Sequence, residues 1–157
     1  MVSWEISLHE DVERWYLALC RDDPVTADGI ADAIEQLASV GPALGRPLVD
    51  RIHGSRHHNM KELRPPSTGG SEVRLLFAFD PLREALFLVA GDKSGRWDAW
   101  YREAIPIADQ RFDDHLKELK DSDPNGQGRR DDERHLHLVG ERQGQGRSGR
   151  PTHPCRA

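Results

Sequence analysis

From residue 2 to residue 8 apolar and polar positions alternate, with Trp4, Ile6 and Leu8 on one side. That period of two predicts a strand. The period then lengthens. Val12, Trp15, Tyr16 and Leu19 recur at spacings of three and four, the apolar stripe of a helix. Ser7-Leu8-His9-Glu10 reads as the capping box that starts it. Asp23-Pro24 marks the next helix start, with Asp as N-cap and Pro in the first helical position. Ile30, Ile34, Leu37 and Ala38 form its buried face, and Gly41-Pro42 stops it. The short link between these helices predicts an antiparallel hairpin.

Residues 43–55 read as a connection with one short extended piece, 47–52. Three strands follow, near 58–64, 73–80 and 84–91, joined by turns at 65–70 and 80–83. In the middle one Val73, Leu75, Phe77 and Phe79 face one way, and Arg74, Leu76 and Ala78 the other. Residues 85–90 are apolar throughout, as in a central strand covered on both faces. Residues 98–120 carry Ile105, Ala108, Phe112, Leu116 and Leu119 on one helical face, with Pro106 expected to divide the helix. The predicted order is β-α-α-β-β-β-α: an α+β fold with a small, mostly antiparallel twisted sheet packed against helices. From Asp121 onward Gly, Arg, Gln, Asp and His dominate, too polar to offset the entropy of ordering. Residues 1–120 are therefore read as one domain and 121–157 as a disordered polar tail.

Charge changes this picture. The 157 residues carry a net charge of −5, which argues against nucleic-acid binding by bulk charge. Yet residues 1–45 hold two basic against nine acidic side chains, and residues 46–102 hold ten basic against seven acidic. The helical hairpin is acidic and the sheet region basic, so one basic face is compatible with an acidic molecule. Cys20 and Cys155 lie far apart, which predicts no disulfide framework and makes a reducing compartment the simpler expectation. The first residues lack a basic start followed by an apolar run, and no stretch is long enough to span a bilayer. A cytoplasmic protein without membrane contact is expected.

The cations are spaced along the strands: Lys61 and Arg64 on the first of the three, Arg74 on the second, Lys93 after the third. Such a surface suits a polyanion, RNA first. The simpler reading of Arg74 is a pairing with Glu62 or Glu72 across the hairpin. Arg64 has a similar option with an acidic neighbour, and Lys93 as an ordinary turn lysine. His53, His57 and His58 lack partners at ligand spacing, and Gly91-Asp92-Lys93 lacks the rest of a phosphate-binding loop, so no metal or cofactor is expected. Trp97, Trp100 and Tyr101 suit base stacking, though an aromatic cluster before a helix more often packs in a core.

The text GSRHHNMKELRPP, then EVRLLFAFDP, then LFLVAGDKSGRWDAWYREAIPIADQRFDDHL resembles the RelE/ParE toxin superfamily, most closely its HigB-like, phage-derived branch. The resemblance covers about residues 4–119. It implies a ribosome-dependent mRNA endoribonuclease neutralised by a cognate antitoxin, often a helix-turn-helix protein. Members keep basic residues where this chain has Lys61 and Arg64, Arg74, and Lys93. Tyr101 is the one tyrosine in the segment where RelE members carry theirs, displaced by a residue or two. Some HigB-type members use histidine, which brings in His57 and His58.

Metal-free cleavage of this kind uses the RNA 2′-hydroxyl as nucleophile and needs proton transfer plus fixed cations. Lys61, Arg74 and Lys93 are the expected catalytic residues. Arg56, His57, His58, Arg64 and Tyr101 are the expected RNA contacts. Two alternatives share the resemblance: a gyrase inhibitor without enzymatic activity, as in the ParE branch, and an inactive chain that only binds its antitoxin.

Overall fold

The computed structural model describes residues 3–66 and 69–122. The elements run β1 (Glu5–Leu8), α1 (Glu10–Asp22), α2 (Pro24–Val40), β2 (Val49–Arg51), β3 (Lys61–Leu63), β4 (Val73–Phe79), β5 (Glu84–Asp92) and α3 (Trp97–Ser122). All five strands join one sheet in the order β1-β5-β4-β3-β2. β1 runs parallel to β5, and every other pairing is antiparallel. The α+β, mostly antiparallel expectation is borne out, with one strand more than the pattern predicts. That strand is β2, inside the extended piece 47–52. Three residues are too few to show a period; pairing with β3, Val49 opposite Leu63 and Arg51 opposite Lys61, makes it a strand.

Helices cover both sides of the sheet. On one side α1 and α2 set Val12, Ile30, Ala33 and Leu37 against Val73, Leu75, Phe77 and Phe87. On the other, α3 sets Trp100, Ala104, Ala108 and Phe112 against Leu76, Ala78, Leu86 and Leu88. The alternation read along residues 73–79 is therefore two faces of one doubly covered strand. The β4–β5 register shifts once. Leu76 pairs with Val89 and Phe77 with Phe87, so Leu88 is an extra residue that bulges β5.

Two local expectations need correction. Ser7 does not cap α1: it lies in β1 opposite Leu86, and His9 caps instead, its Nδ1 accepting from the Asp11 N–H at 3.1 Å. The parallel ladder claims the backbone before the helix can. Pro106 does not divide α3, which runs unbroken through it. Pro106 and Arg102, whose carbonyl loses its helical partner, are both exposed, so water can take that carbonyl. Trp100 and Ala104 before the proline, and Ala108 and Phe112 after it, hold both halves on the sheet. The Asp23 cap of α2 and its stop at Gly41 stand as predicted. Residues 123–157, the bulk of the expected tail, lie outside the described residues.

Candidate active site

Even-numbered residues of β4 face α3, so Arg74 points to the same side as Leu76 and Ala78. On β3 the residue facing that way is Glu62, which pairs with Leu76 and is thus diagonal to Arg74. Lys93 follows β5, its N–H donating to the Glu72 carbonyl at 3.0 Å. α3 closes over this end of the sheet because β5 carries Gly91 there. A Cβ at that position would lie 2.6 Å from Trp100 Nε1, closer than the indole allows.

The result is a buried cluster of alternating charge. Arg74 is 6% exposed, Glu62 7% and Lys93 1%. Arg74 Nε lies 3.9 Å from Glu62 Oε1, and Arg74 Nη2 lies 3.8 Å from Glu72 Oε1. Lys93 Nζ lies 3.4 Å from the same Glu72 oxygen. The Tyr101 hydroxyl donates to Glu62 Oε1 at 2.7 Å, and Arg74 Nη1 donates to the Val73 carbonyl at 2.8 Å. Arg74 Nε is buried without a hydrogen-bond acceptor, because 3.9 Å is an ion-pair distance and too long for a hydrogen bond.

These contacts set the proton chemistry. Burial and then the neighbouring Arg74 charge hold the Lys93 ammonium below the usual lysine range, with the Glu72 and Glu62 carboxylates opposing. Burial, and then donation to Glu62, push the Tyr101 phenol far above its usual range, so it stays a protonated donor. Lys93 Nζ sits 2.9 Å from the centroid of the Trp97 ring. Trp97 itself is 56% exposed, so one indole thickness separates the ammonium from solvent. Of the aromatic cluster expected to be core, Trp100 is core and Trp97 is a cover.

The sheet brings Arg74, Lys93 and Tyr101 together but not Lys61. Lys61 is one residue from Glu62 and so faces the α1–α2 side. There its Nζ donates to the Pro42 carbonyl at 3.1 Å and lies 5.8 Å from the Phe79 ring centroid. Burial, then the charge of Arg51, lower its pKa. Arg64 pairs with Asp50 at 3.3 Å. Arg56 bonds Asp113, and His57 Nε2 lies 2.7 Å from the same carboxylate. Ser55 Oγ donates to Asp109 at 2.5 Å, and the Arg56 N–H donates to that carboxylate at 3.0 Å. Arg56 and His57 thus fasten the loop before β3 to α3. His58 is exposed.

Glu62 and Glu72 were legible only as bland partners of Arg74. The signal that made Arg74 a candidate, its alternation on β4, also aims Glu62 at the same spot. Next to the cluster lies a cavity of about 440 Å³ lined by His53, Gly54, Asp98, Tyr101, Arg102, Ile105 and Pro106. Tyr101 is the wall the two share. At the opposite end of α3, Asp80, Glu84 and His115 have ligand-type atoms within 4.8 Å of one another. The Asp80 carboxylate is already taken up there, accepting from the Leu82 and Glu84 N–H groups and meeting His115 Nε2 at 2.7 Å. It holds a turn together and leaves little for a cation.

The chain belongs to the phage-derived Gp49-like family, whose pattern matches residues 22–113. It is 50% identical to HigB2 of Mycobacterium tuberculosis over 129 residues, 82% of this chain and 62% of HigB2. It is also 50% identical to HigB3 of the same organism over 111 residues, 71% of this chain and 92% of HigB3. Both are named as candidate toxins. The HigB-like, phage-derived resemblance is thus borne out, although the chain spans less than two thirds of HigB2. A double-arginine mutant of E. coli toxin RelE in the free state superimposes with a TM-score of 0.49 at 10% identity, covering 67% of this chain and 97% of that one.

Proposed function

We propose that this protein is the toxin of a type II toxin–antitoxin pair and that it cleaves mRNA on the translating ribosome. The observation that carries the reading is the convergence of Arg74 and Lys93 on one end of the sheet, beside an open cavity. Membership of the HigB-like family supports it. Arg74 remains charged and stabilises the extra negative charge on phosphorus. Lys93, with its lowered pKa, is the proton carrier. The 2′-oxygen bonds to phosphorus as its proton leaves, the P–O5′ bond breaks, and the 5′ oxygen takes a proton. Tyr101 holds Glu62 and so keeps Arg74 in place. Lys61, on the other face, takes no step. The ribosome supplies orientation of the mRNA, which spares the toxin a complete acid–base pair. The neutralising partner is a cognate antitoxin, expected to be a helix-turn-helix protein, and the site of action is the cytoplasm.

For phosphate to reach Lys93, Trp97 must swing aside. The pairing of both cations with carboxylates favours a second reading, an inactive chain that only binds its antitoxin. Incubating the purified protein with a defined mRNA, with and without translating ribosomes, and mapping cuts by primer extension separates the two. Ribosome-dependent cuts that vanish in a folded Arg74→Ala variant are the expected result. Absence of cuts from folded, antitoxin-free protein overturns the nuclease reading, and unchanged cutting by an Arg74→Ala/Lys93→Ala variant overturns the site.

A further inference from the structure

The cavity beside the charged cluster has a chemistry of its own. Tyr101, Ile105 and Pro106 give it an apolar wall, and Asp98, Arg102 and His53 stand around it. Asp98 and Arg102 are four residues apart on α3, yet they form no ion pair with each other. Among the described residues, the side chains of Asp98, Arg102 and His53 take no hydrogen-bond or ion-pair partner. Arg46, Arg56, Arg64, Arg74, Arg96 and Arg111 pair with carboxylates, whereas Arg102, like Arg21, Arg51 and Arg83, forms no ion pair among the described residues. A flat apolar wall with one free acceptor and one free forked donor at its rim is what a nucleobase needs.

We propose that this cavity is a base-reading subsite that seats a guanine next to the phosphate held by Arg74 and Lys93. The inference rests on the nuclease reading for its biological substrate and adds to it the identity of the base. Guanine presents two adjacent acceptors, O6 and N7, which match the Arg102 fork. It also presents N1–H and N2–H donors, which match the Asp98 carboxylate. Adenine places a donor where guanine has O6, opposite a guanidinium that can only donate. Pyrimidines lack the N7 edge. Tyr101 supplies the stacking face, and Lys93 Nζ lies 5.7 Å from its ring centroid, so one nucleotide bridges the cation and the cavity.

The test uses single-stranded RNA pentanucleotides that differ only in the central base, 2′-O-methylated so that they cannot be cut. Their binding to the full chain is followed by fluorescence polarisation. The central-guanine probe is expected to bind at least about tenfold more tightly than the central-adenine probe. Arg102→Met and Asp98→Asn are each expected to remove most of that preference while leaving the adenine probe's affinity within about threefold. Equal affinity for all four bases, or a guanine preference that survives both substitutions, overturns the proposal. The outcome stands apart from the cleavage assay. Guanine-selective binding without ribosome-dependent cutting leaves the subsite and removes the nuclease. Ribosome-dependent cutting by the wild type, together with equal affinity for all four probes, leaves the nuclease and removes the subsite.

Discussion

The two faces of the sheet are built from the same strands and have different contents. Toward α1 and α2, β4 presents Val73, Leu75 and Phe77, which meet Phe87 and the helical stripe with no charged group among the described buried residues of that face. Phe77 and Phe87 lie 5.0 Å apart at their centroids, and the edge of Phe79 meets Phe77 at 5.6 Å. Toward α3 the same strands present Leu76 and Ala78, but also Arg74, with Glu62 and Lys93 beside it. Burying ions costs more than burying methyl groups, even when the ions are paired. Both faces bury an apolar core, and the second gives up part of its stability for a set of cations held in fixed places. That asymmetry is what makes the α3 side the candidate site.

The largest break in this comparison is Phe77→Ala, which opens a cavity in the all-apolar face. It should destabilise the fold by about 3–5 kcal/mol in chemical denaturation. A loss of less than ~1 kcal/mol would mean that this face is not the core. Glu62→Gln on the charged face should cost less, about 2 kcal/mol, because Gln keeps an acceptor for Tyr101 while Arg74 loses a carboxylate. Combining it with Arg74→Met removes the stranded charge. The double variant should recover about 1–2 kcal/mol relative to the sum of the singles, and strict additivity would show that the pair does not interact. Tyr101→Phe should cost about 1 kcal/mol by removing one hydrogen bond. It should also slow ribosome-dependent cleavage less than Arg74→Ala does.

The apolar face was legible in the sequence because its signal repeats. Val73, Leu75, Phe77 and Phe79 alternate over a whole strand, and the helical stripes facing them recur over several turns. β2 was not, since three residues carry no period and its partner strand decides its fate. The charged face was half legible. Arg74 and Lys93 stood out as cations at strand ends, and they do meet. Lys61 was grouped with them as a cation on the preceding strand, where the resembled family keeps a basic residue, but in a strand one residue is the difference between the two faces. That step removes Lys61 from the cluster and puts Glu62 into it. Arg56 and His57 show the same limit: nothing local says that Asp109 and Asp113, 53 to 57 residues away, will claim them.

The smallest expected effect concerns pH and sharpens the comparison at the other end of α3. His115 lies in that half-buried region, its Nε2 2.7 Å from the buried Asp80 carboxylate. Burial works to lower its pKa, but hydrogen bonding to Asp80 and the charges of Asp80, Glu84 and Glu118 outweigh it, so the net shift is upward. A histidine whose folded pKa exceeds its unfolded value of about 6.5 binds protons more tightly when folded. Its contribution to stability is therefore full below about pH 6.5 and fades as pH rises through the raised folded value. Urea midpoints measured across that range should fall with rising pH in the wild type and stay flatter in His115→Gln, after subtraction of shared trends. The Phe77 face holds no buried histidine among the described residues, so the Phe77→Ala penalty should be the same at both ends of the pH range. A pH-dependent Phe77→Ala penalty, or an unchanged slope in His115→Gln, would show that the two faces are not energetically separate, and that α3 is held by something other than the His115–Asp80 contact.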